Sequence, residues 1–556
     1  MNLNGLFNIG SSGLVAGQAA MNIAGQNMAN ATTPGYRRQR LAMLPLSGAA
    51  MVGVGSPGAG VMVGGLNRAL DLALLARLRH ARGDEAGLLT DQRFLSGVES
   101  SNAMLGDQDL ASRVETFLAS FGDVAQQPGD TGVRTVVVQQ GAALASQLRQ
   151  LRSAYVSQRA ELDRSLDDAM RQANDLLARV AQLTDSIRSA EAGGGPAPSL
   201  RDQRDAAVDE LASLLDVTAV ERPGGSIDLL VGSVPIMLDG RSRGLQVVQQ
   251  QGAPGVVVAE DGAPIAPGGS VGGLLRTRQE SVATAINSID TMTLQLINAV
   301  NRIHVAGRGM HGRSEATAFI QVTDPAQPIG AEILPAQVQN GVLRIEIGDA
   351  GSENPTIVEV PVNPAVDSLQ DIATRITNAG AGFGLTSYVD ADNRMHLVAD
   401  AGKELSVHED TSGLFTAIQL GGFFTGWSAS DVDVAEELVA DPQLLSSGLD
   451  DDQSTVAAAL AALGQTTLAP LGDTLGGYLR TVSGSLAARV RAATDAADAA
   501  TLVREGLEAQ EQQVSGVSVD DEAMRLLAAQ QQFEASARFV ASLQSAMQTL
   551  LDMAAR

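Results

Sequence analysis

No charged side chain precedes Arg37 in this chain of 556 residues. Gly, Asn and Ser break the opening stretch too often for a membrane span. It carries a stripe at helical spacing instead: Phe7, Gly10, Leu14, Gly17, Met21, Ala24, Met28 and Ala31. The steps alternate between three and four residues, which is the seam of a coiled coil. A seam without charged flanks calls for cover on more than one side.

The far end carries the same alternation in Leu526, Gln530, Phe533, Ala537, Val540, Gln544, Met547 and Leu551. Gly10, Gly17 and Ala24 leave gaps between the large residues of the first seam, so knobs of the second could enter them. Each helix could equally pack by itself on a globular core, and the pattern alone leaves both arrangements open. Burying the large apolar residues of both seams falls well short of the entropy lost in ordering two such segments. Both ends are therefore predicted to be mobile in the isolated chain and to fold when many copies pack together.

Acidic residues outnumber basic ones, 63 Asp and Glu against 38 Lys and Arg, for a net charge of −25. Such a charge argues against nucleic acid, whose phosphates would repel it. The acidity lies in the middle, which reads as solvated surface. The chain has no cysteine, which excludes disulfides, thiolate zinc sites and a cysteine nucleophile. No apolar run approaches the length of a membrane helix. A basic segment followed by an apolar core is missing from the N-terminus, so no cleaved secretory signal is expected. Aromatic residues make up 3%, low for a ligand-binding core and common in helical rods.

Thr33-Pro34-Gly35-Tyr36 suits a type II turn, with Pro fixing φ and Gly taking positive φ. Residues 45–66 read as an extended linker or short hairpin. Helical pattern covers 84–125 and 133–192, and Gly193-Gly194-Gly195-Pro196 ends it. Ser199 with Asp202 reads as a capping box for a helix through Leu215. Residues 217–268 look β-like, with turns at Gly224-Gly225 and Asp239-Gly240. A helix over 271–306 is capped by Gly307. Alternation at Val342 to Ile347, Ile357 to Val362, Thr386 to Val389 and Met395 to Val398, with a helix from Asp367 to Ala379, predicts a β-β-α-β-β insert. Helices return at 453–465 and 475–514, and Asp520 or Asp521 can cap a final one.

The predicted fold is mainly α with β inserts, an elongated and nested multidomain rod. Its four parts are a terminal coiled coil (1–45 with 515–556), a helical rod domain (46–216 with 271–314 and 431–514), a small β domain (217–270) and a β-rich outer insert with one helix (315–430).

Motifs that could carry chemistry do not complete themselves. His304 and His311 lack a third ligand nearby, and His304 reads as a packing or capping residue. Asp390-Ala391-Asp392-Asn393 starts like a calcium loop but lacks the later oxygen ligands and glycine, so it reads as a hairpin turn. Asp450-Asp451-Asp452 reads as a solvated loop and helix N-terminus. The glycine run at 193–195 follows a helix and has no Lys-Ser/Thr, so it is not a phosphate loop. No Ser sits in a Gly-x-Ser-x-Gly elbow. The expectation is a chain without enzymatic activity, cofactor or metal; a cell-wall hydrolase would need a carboxylate pair that the sequence does not display.

Two terminal motifs carry a resemblance. Ala29-Asn30-Ala31-Thr32-Thr33-Pro34-Gly35-Tyr36 resembles the N-terminal motif of flagellar rod, hook and hook-associated proteins. Ser515 to Glu522, followed by Gln530-Gln531-Gln532-Phe533-Glu534-Ala535-Ser536-Ala537-Arg538, resembles their C-terminal one, with Ser518 where relatives often have Asn and Phe533 where they often have Tyr. Leu200-Arg201-Asp202-Gln203-Arg204-Asp205 and Asn298-Ala299-Val300-Asn301-Arg302-Ile303-His304 narrow it to the hook-associated protein 1 family; Phe423-Phe424-Thr425-Gly426 adds a weaker match. The resemblance covers roughly 1–310 and 423–556.

It implies an extracellular junction subunit between flagellar hook and filament, exported by the flagellar type III system. Its partners would be copies of itself in a ring or tube, the hook protein, the second hook-associated protein, and a cytoplasmic export chaperone on the C-terminal helix. A hook or distal-rod subunit is the alternative, disfavoured by the two interior helical motifs. The expected assembly interface is Phe7, Leu14, Met21 and Met28 with Leu526, Phe533, Val540, Met547 and Leu551. Asn30, Thr33, Pro34, Gly35 and Tyr36 form the family's turn.

Overall fold

The computed structural model describes residues 3–47, 58–103, 109–193, 195–250, 252–352, 355–448 and 454–554. The Asp450–Asp452 run and the middle of the predicted 45–66 linker lie outside these. Helices make up 59% and strands 19%, which is the mainly α fold with β inserts that the periodicity predicts. The chain forms two compact units, one of residues 1–93, 162–277 and 492–556, the other of 94–161 and 278–491.

In the first unit the N-terminal helix Leu3–Ala29 pairs with the C-terminal helix Val519–Ala554. Ser518, rather than Asp520 or Asp521, caps the latter: its Oγ accepts from Asp521 N at 3.3 Å. Strands Gln39–Ser47 and Gly58–Arg68 form an antiparallel ribbon with Gln39 opposite Arg68. The ribbon lies on the N-terminal helix, where Val61 N donates to Ser12 Oγ at 3.2 Å. Gly60 permits this approach, since a Cβ there would sit 2.3 Å from that oxygen.

Helix Pro198–Leu215 starts on Pro at its first position and stops at Asp216, which takes left-handed φ of 54°. The predicted capping box is not used, because Asp202 is turned toward Arg68 and Glu191 accepts from the Ala197 N–H instead. The β-like stretch after it folds as two small antiparallel sheets of sequential strands between Val217 and Ile265. Positive φ at Gly224, Gly225, Asp239 and Gly240 makes the turns expected there.

The predicted 84–125 helix is two helices, Leu72–Ala103 and Leu110–Gln126, because Asp109 caps a new start by accepting from Ser112 N at 2.7 Å. In the second unit, Phe117 and Phe121 meet Phe423 and Phe424 with ring centroids 4.7 to 5.8 Å apart. The predicted 271–306 helix contains a π-helical turn, Thr277–Val282, and ends at Ala306. The β-β-α-β-β elements are all present. They divide between two sheets, because strand Lys403–Asp410 pairs with Gly341–Asp349, while Met395–Ala399 pairs with Leu385–Val389 on one side and Glu315–Thr317 on the other. Helix Leu369–Gly380 begins in a capping box of Ser368 and Asp371.

Candidate functional site

The two terminal helices run antiparallel and meet along a glycine face. A Cβ on Gly10 would come within 2.5 Å of Val540 Cγ2, and one on Gly13 within 2.6 Å of Ser536 Oγ. At Gly17 it would meet the Phe533 backbone, 3.3 Å from both Cα and N. Phe7, Leu14, Met21 and Met28 are half-buried, as are Leu526, Phe533, Val540 and Met547. Leu551 is 61% exposed. The positions between the large residues differ from the expected seam. Ala529, Ser536 and Leu543 turn inward, while Gln530 and Gln544 face solvent. Water solvates the amides, and the glycine face takes the small or apolar neighbours one residue earlier.

Asn27, fully buried, holds this pair to the chain that follows. Its Nδ2 donates to Gln39 O at 2.9 Å and to Glu522 Oε2 at 3.0 Å. Its Oδ1 accepts from Gln39 N at 3.0 Å and from the Tyr36 hydroxyl at 2.8 Å. Every hydrogen-bonding position of the amide is thereby used. The family turn delivers Tyr36: Gly35 has φ of 76°, and Tyr36 N donates to Thr33 O at 3.2 Å, a type II turn. Burial, with Asp202 and Glu522 nearby, pushes the Tyr36 phenol up to about 12. Asn30 stays local, donating to Gln26 O and accepting from Thr33 Oγ1, and Pro34 is exposed. The structure thus joins Tyr36 to the helix pair and leaves Asn30, Thr33 and Pro34 to shape the turn. Sequence reading missed Asn27; an Asn on the apolar side of a charge-free helix was the available signal.

Beneath the turn lies a charged clasp. Asp202, Asp205 and Asp209 share one face of helix Pro198–Leu215, three and four residues apart. Arg68 binds Asp202 at 2.9 Å and Asp205 at 2.7 Å. Arg37 reaches Asp205 at 3.2 Å, Arg79 reaches Asp209 at 2.6 Å, and Arg82 spans Asp209 at 3.1 Å and Glu508 at 2.9 Å. Burial alone would raise Asp205, yet Arg68, Arg37 and Arg79 together hold it below the usual carboxylate range. Asp202 goes the other way: burial raises it beyond what Arg68 offsets. The Leu200–Asp205 motif is therefore the socket into which the terminal segments plug.

The Asn298–His304 motif does comparable work within the second unit. Asn301 Oδ1 accepts from Phe423 N and Phe424 N, each at 2.9 Å, and its Nδ2 donates to Phe424 O at 2.7 Å. His304 Nδ1 bonds to Gly421 O at 3.1 Å, and its Nε2 accepts from Ser446 N at 3.1 Å. Burial, with Arg313 and Arg134 adding to it, pushes His304 down to about 3. His311 pairs with Asp441 at 3.0 Å. The 390–393 segment is a hairpin turn, with Asp390 Oδ1 accepting from Asp392 N and Arg394 N. Among the described residues, His80, Asp84 and Asp216 are the one group close enough to share an ion. Its two ring nitrogens face different carboxylates, Nδ1 toward Asp216 at 2.9 Å and Nε2 toward Asp84 at 3.6 Å. That is the geometry of a bridging imidazolium, and the Asp216 hydrogen bond raises the His80 pKa.

Residues 95–319 match the family model described as the flagellar hook-associated protein FlgK helical domain. Residues 510–553 match the one described as the flagellar basal body rod FlgEFG protein C-terminal. These matches and the relatives below mark the chain as similar to flagellar hook-associated protein 1. Flagellar hook-associated protein 1 of Salmonella typhimurium is 26% identical over 338 residues, 58% of this chain and 60% of the relative. The Escherichia coli protein of that name is 26% identical over 58% of this chain and 61% of its own length. That of Bacillus subtilis is 28% identical over 38% of this chain and 43% of its own. The chain thus matches about 60% of the length of the first of these relatives. The fold is similar to that of the flagellar hook junction protein FlgK from Burkholderia pseudomallei, with TM-score 0.50 and 17% identity over 80% of this chain and 100% of the other. In this chain the first motif supplies the turn and Tyr36, and the interior motifs supply the clasp and the bonds to Phe423 and Phe424.

Proposed function

We propose that the chain is a structural, non-enzymatic subunit of the bacterial flagellum at the junction of hook and filament, and that it assembles with copies of itself through its terminal helices. One observation carries the assembly reading. The C-terminal helix, paired on one side, still exposes Met524, Leu527, Leu550, Leu551 and Met553. Large apolar side chains left exposed at both ends of one helix mark surfaces covered by a partner. In this reading 1–45 with 515–556 is the assembling domain, and the expected interface residues line it. The remaining three parts follow the division drawn from the sequence, with 315–430 outermost. Both ends are soft during type III export, a cytoplasmic chaperone covers the C-terminal helix, and the tube orders them. The hook protein lies on one side and the second hook-associated protein on the other.

The alternative, a hook or distal-rod subunit, fits the 510–553 match. The interior helical domain favours the junction. Imaging a deletion strain separates them. Hooks without filaments, with filament protein lost to the medium, support the junction; loss of hooks overturns it. Hydrogen exchange on the monomer tests the soft ends, and strongly protected amides in 5–30 would sink that part.

A further inference from the structure

Arg38 follows a clasp arginine but takes no part in the clasp. The residue is only 9% exposed, its Nε has no hydrogen-bond partner, and no carboxylate among the described residues pairs with it. Every other buried arginine of this region is paired: Arg37, Arg68 and Arg79 each hold an aspartate. Burial, together with Arg40 and Arg525, lowers the Arg38 pKa, and Glu522 and Asp521 only partly offset this. A guanidinium this enclosed, with no ion-pair partner of its own, is placed to take one supplied from outside.

Arg38 lines a cleft of about 700 Å³ between the family turn and the segment from Glu511 to Asp521. The wall charges decide what can enter. Asp209 and Glu511 are already engaged by Arg79, Arg82 and Arg37; Asp521, also on the wall, offsets Arg38 only in part and forms no ion pair with it, which leaves the guanidinium open to a carboxylate from outside. A carboxylate, singly charged and planar, matches the fork of one guanidinium. A phosphate would bring a second charge against Asp209, Glu511 and Asp521. The cleft also adjoins the start of the C-terminal helix, where Met524 and Leu527 stand exposed. It thus lies beside the exposed apolar residues at the start of that helix, assigned above to a neighbouring copy. Each copy has carboxylates to spare, 63 against 38 basic groups.

We propose that the cleft over Arg38 is a carboxylate socket, filled in the assembly by an Asp or Glu side chain of a second copy of this chain. The proposal rests on the self-assembly reading.

The test compares the full-length wild type with Arg38→Met and the milder Arg38→Gln. Melting of the monomer and sedimentation velocity across a concentration series, in sodium chloride, are the readouts. The expected pattern is opposite in sign for the two. Monomer melting stays level or rises, because an unpaired buried charge is gone, while the concentration needed for assembly rises at least tenfold. A lowered melting point with unchanged assembly in both variants makes Arg38 structural and overturns the socket alone. If sodium sulfate raises wild-type melting and neither variant responds, a free anion fills the cleft and the second-copy assignment falls. Failure of the wild type to assemble at any concentration overturns the socket together with the self-assembly reading.

Discussion

Asn27 and Glu522 share a 3.0 Å hydrogen bond across 495 residues of chain. Glu522 is 1% exposed and also binds Arg525 at 2.6 Å. A buried carboxylate on the C-terminal helix is thus satisfied partly by an amide on the N-terminal one, and the same amide grips the backbone of Gln39 and the hydroxyl of Tyr36. Pairing of the two ends and placement of the family turn are a single event.

Asn27→Ala should therefore loosen more than one contact. It strips partners from Glu522 and from the Gln39 N–H, at about 1–3 kcal/mol for each buried group left unpaired. Chemical denaturation of the full chain should show the loss, and hydrogen exchange should place it in both terminal helices.

Gly17→Val should separate the helices where Gly10→Ala does not. The space at Gly17 is bounded by the Phe533 backbone, which cannot rotate away. Overpacking there costs about 1–3 kcal/mol. At Gly10 the nearest atom is the Val540 methyl, and its rotation together with the better helix propensity of Ala offsets the contact. Melting and cross-linking between engineered cysteines at the two ends should rank the variants in that order.

Asp205→Asn should be among the most damaging single changes in the first unit. It removes the charge facing Arg68, Arg37 and Arg79. Breaking one side of such a buried network costs about 3–5 kcal/mol. The loss should change little with added salt, because the side chains are less than a tenth exposed and poorly screened.

The second unit should weaken in mild acid through His304. Its folded value of about 3 lies below the ordinary 6.5, so the unfolded state takes up the proton first. The stabilising contribution is complete above pH 6.5 and declines by about 1.4 kcal/mol per pH unit toward pH 3. Nε2 cannot accept a proton without releasing the Ser446 N–H. His304→Gln should flatten this part of the stability profile, measured by urea midpoints between pH 7 and pH 4.

The helices and strands were legible because each follows from a local period. Thr131–Glu191 and Leu475–Ser515 lie within two residues of their predicted limits, since uninterrupted apolar spacing needs no distant partner. The seams were legible for the same reason, and even the small residues of the first pointed to the large ones of the second. Details resting on competition were not. Ser199 with Asp202 looks like a cap until Arg68, 134 residues earlier in sequence, takes the aspartate. Gln530 and Gln544 fit the heptad equally well until the glycine face selects Ala529 and Leu543.

The amino-acid sequence by itself determined the element types, the absence of thiol chemistry, the two apolar seams and the motifs at each end. These depend on composition and on neighbours within a turn or two. Only the tertiary structure decided that Asn27 is the hub, that Asp202, Asp205 and Asp209 receive four arginines from other segments, and that Arg38 has no carboxylate paired with it. Buried charges and amides take their meaning from what lies within 3 Å, and that distance bears no relation to separation along the chain.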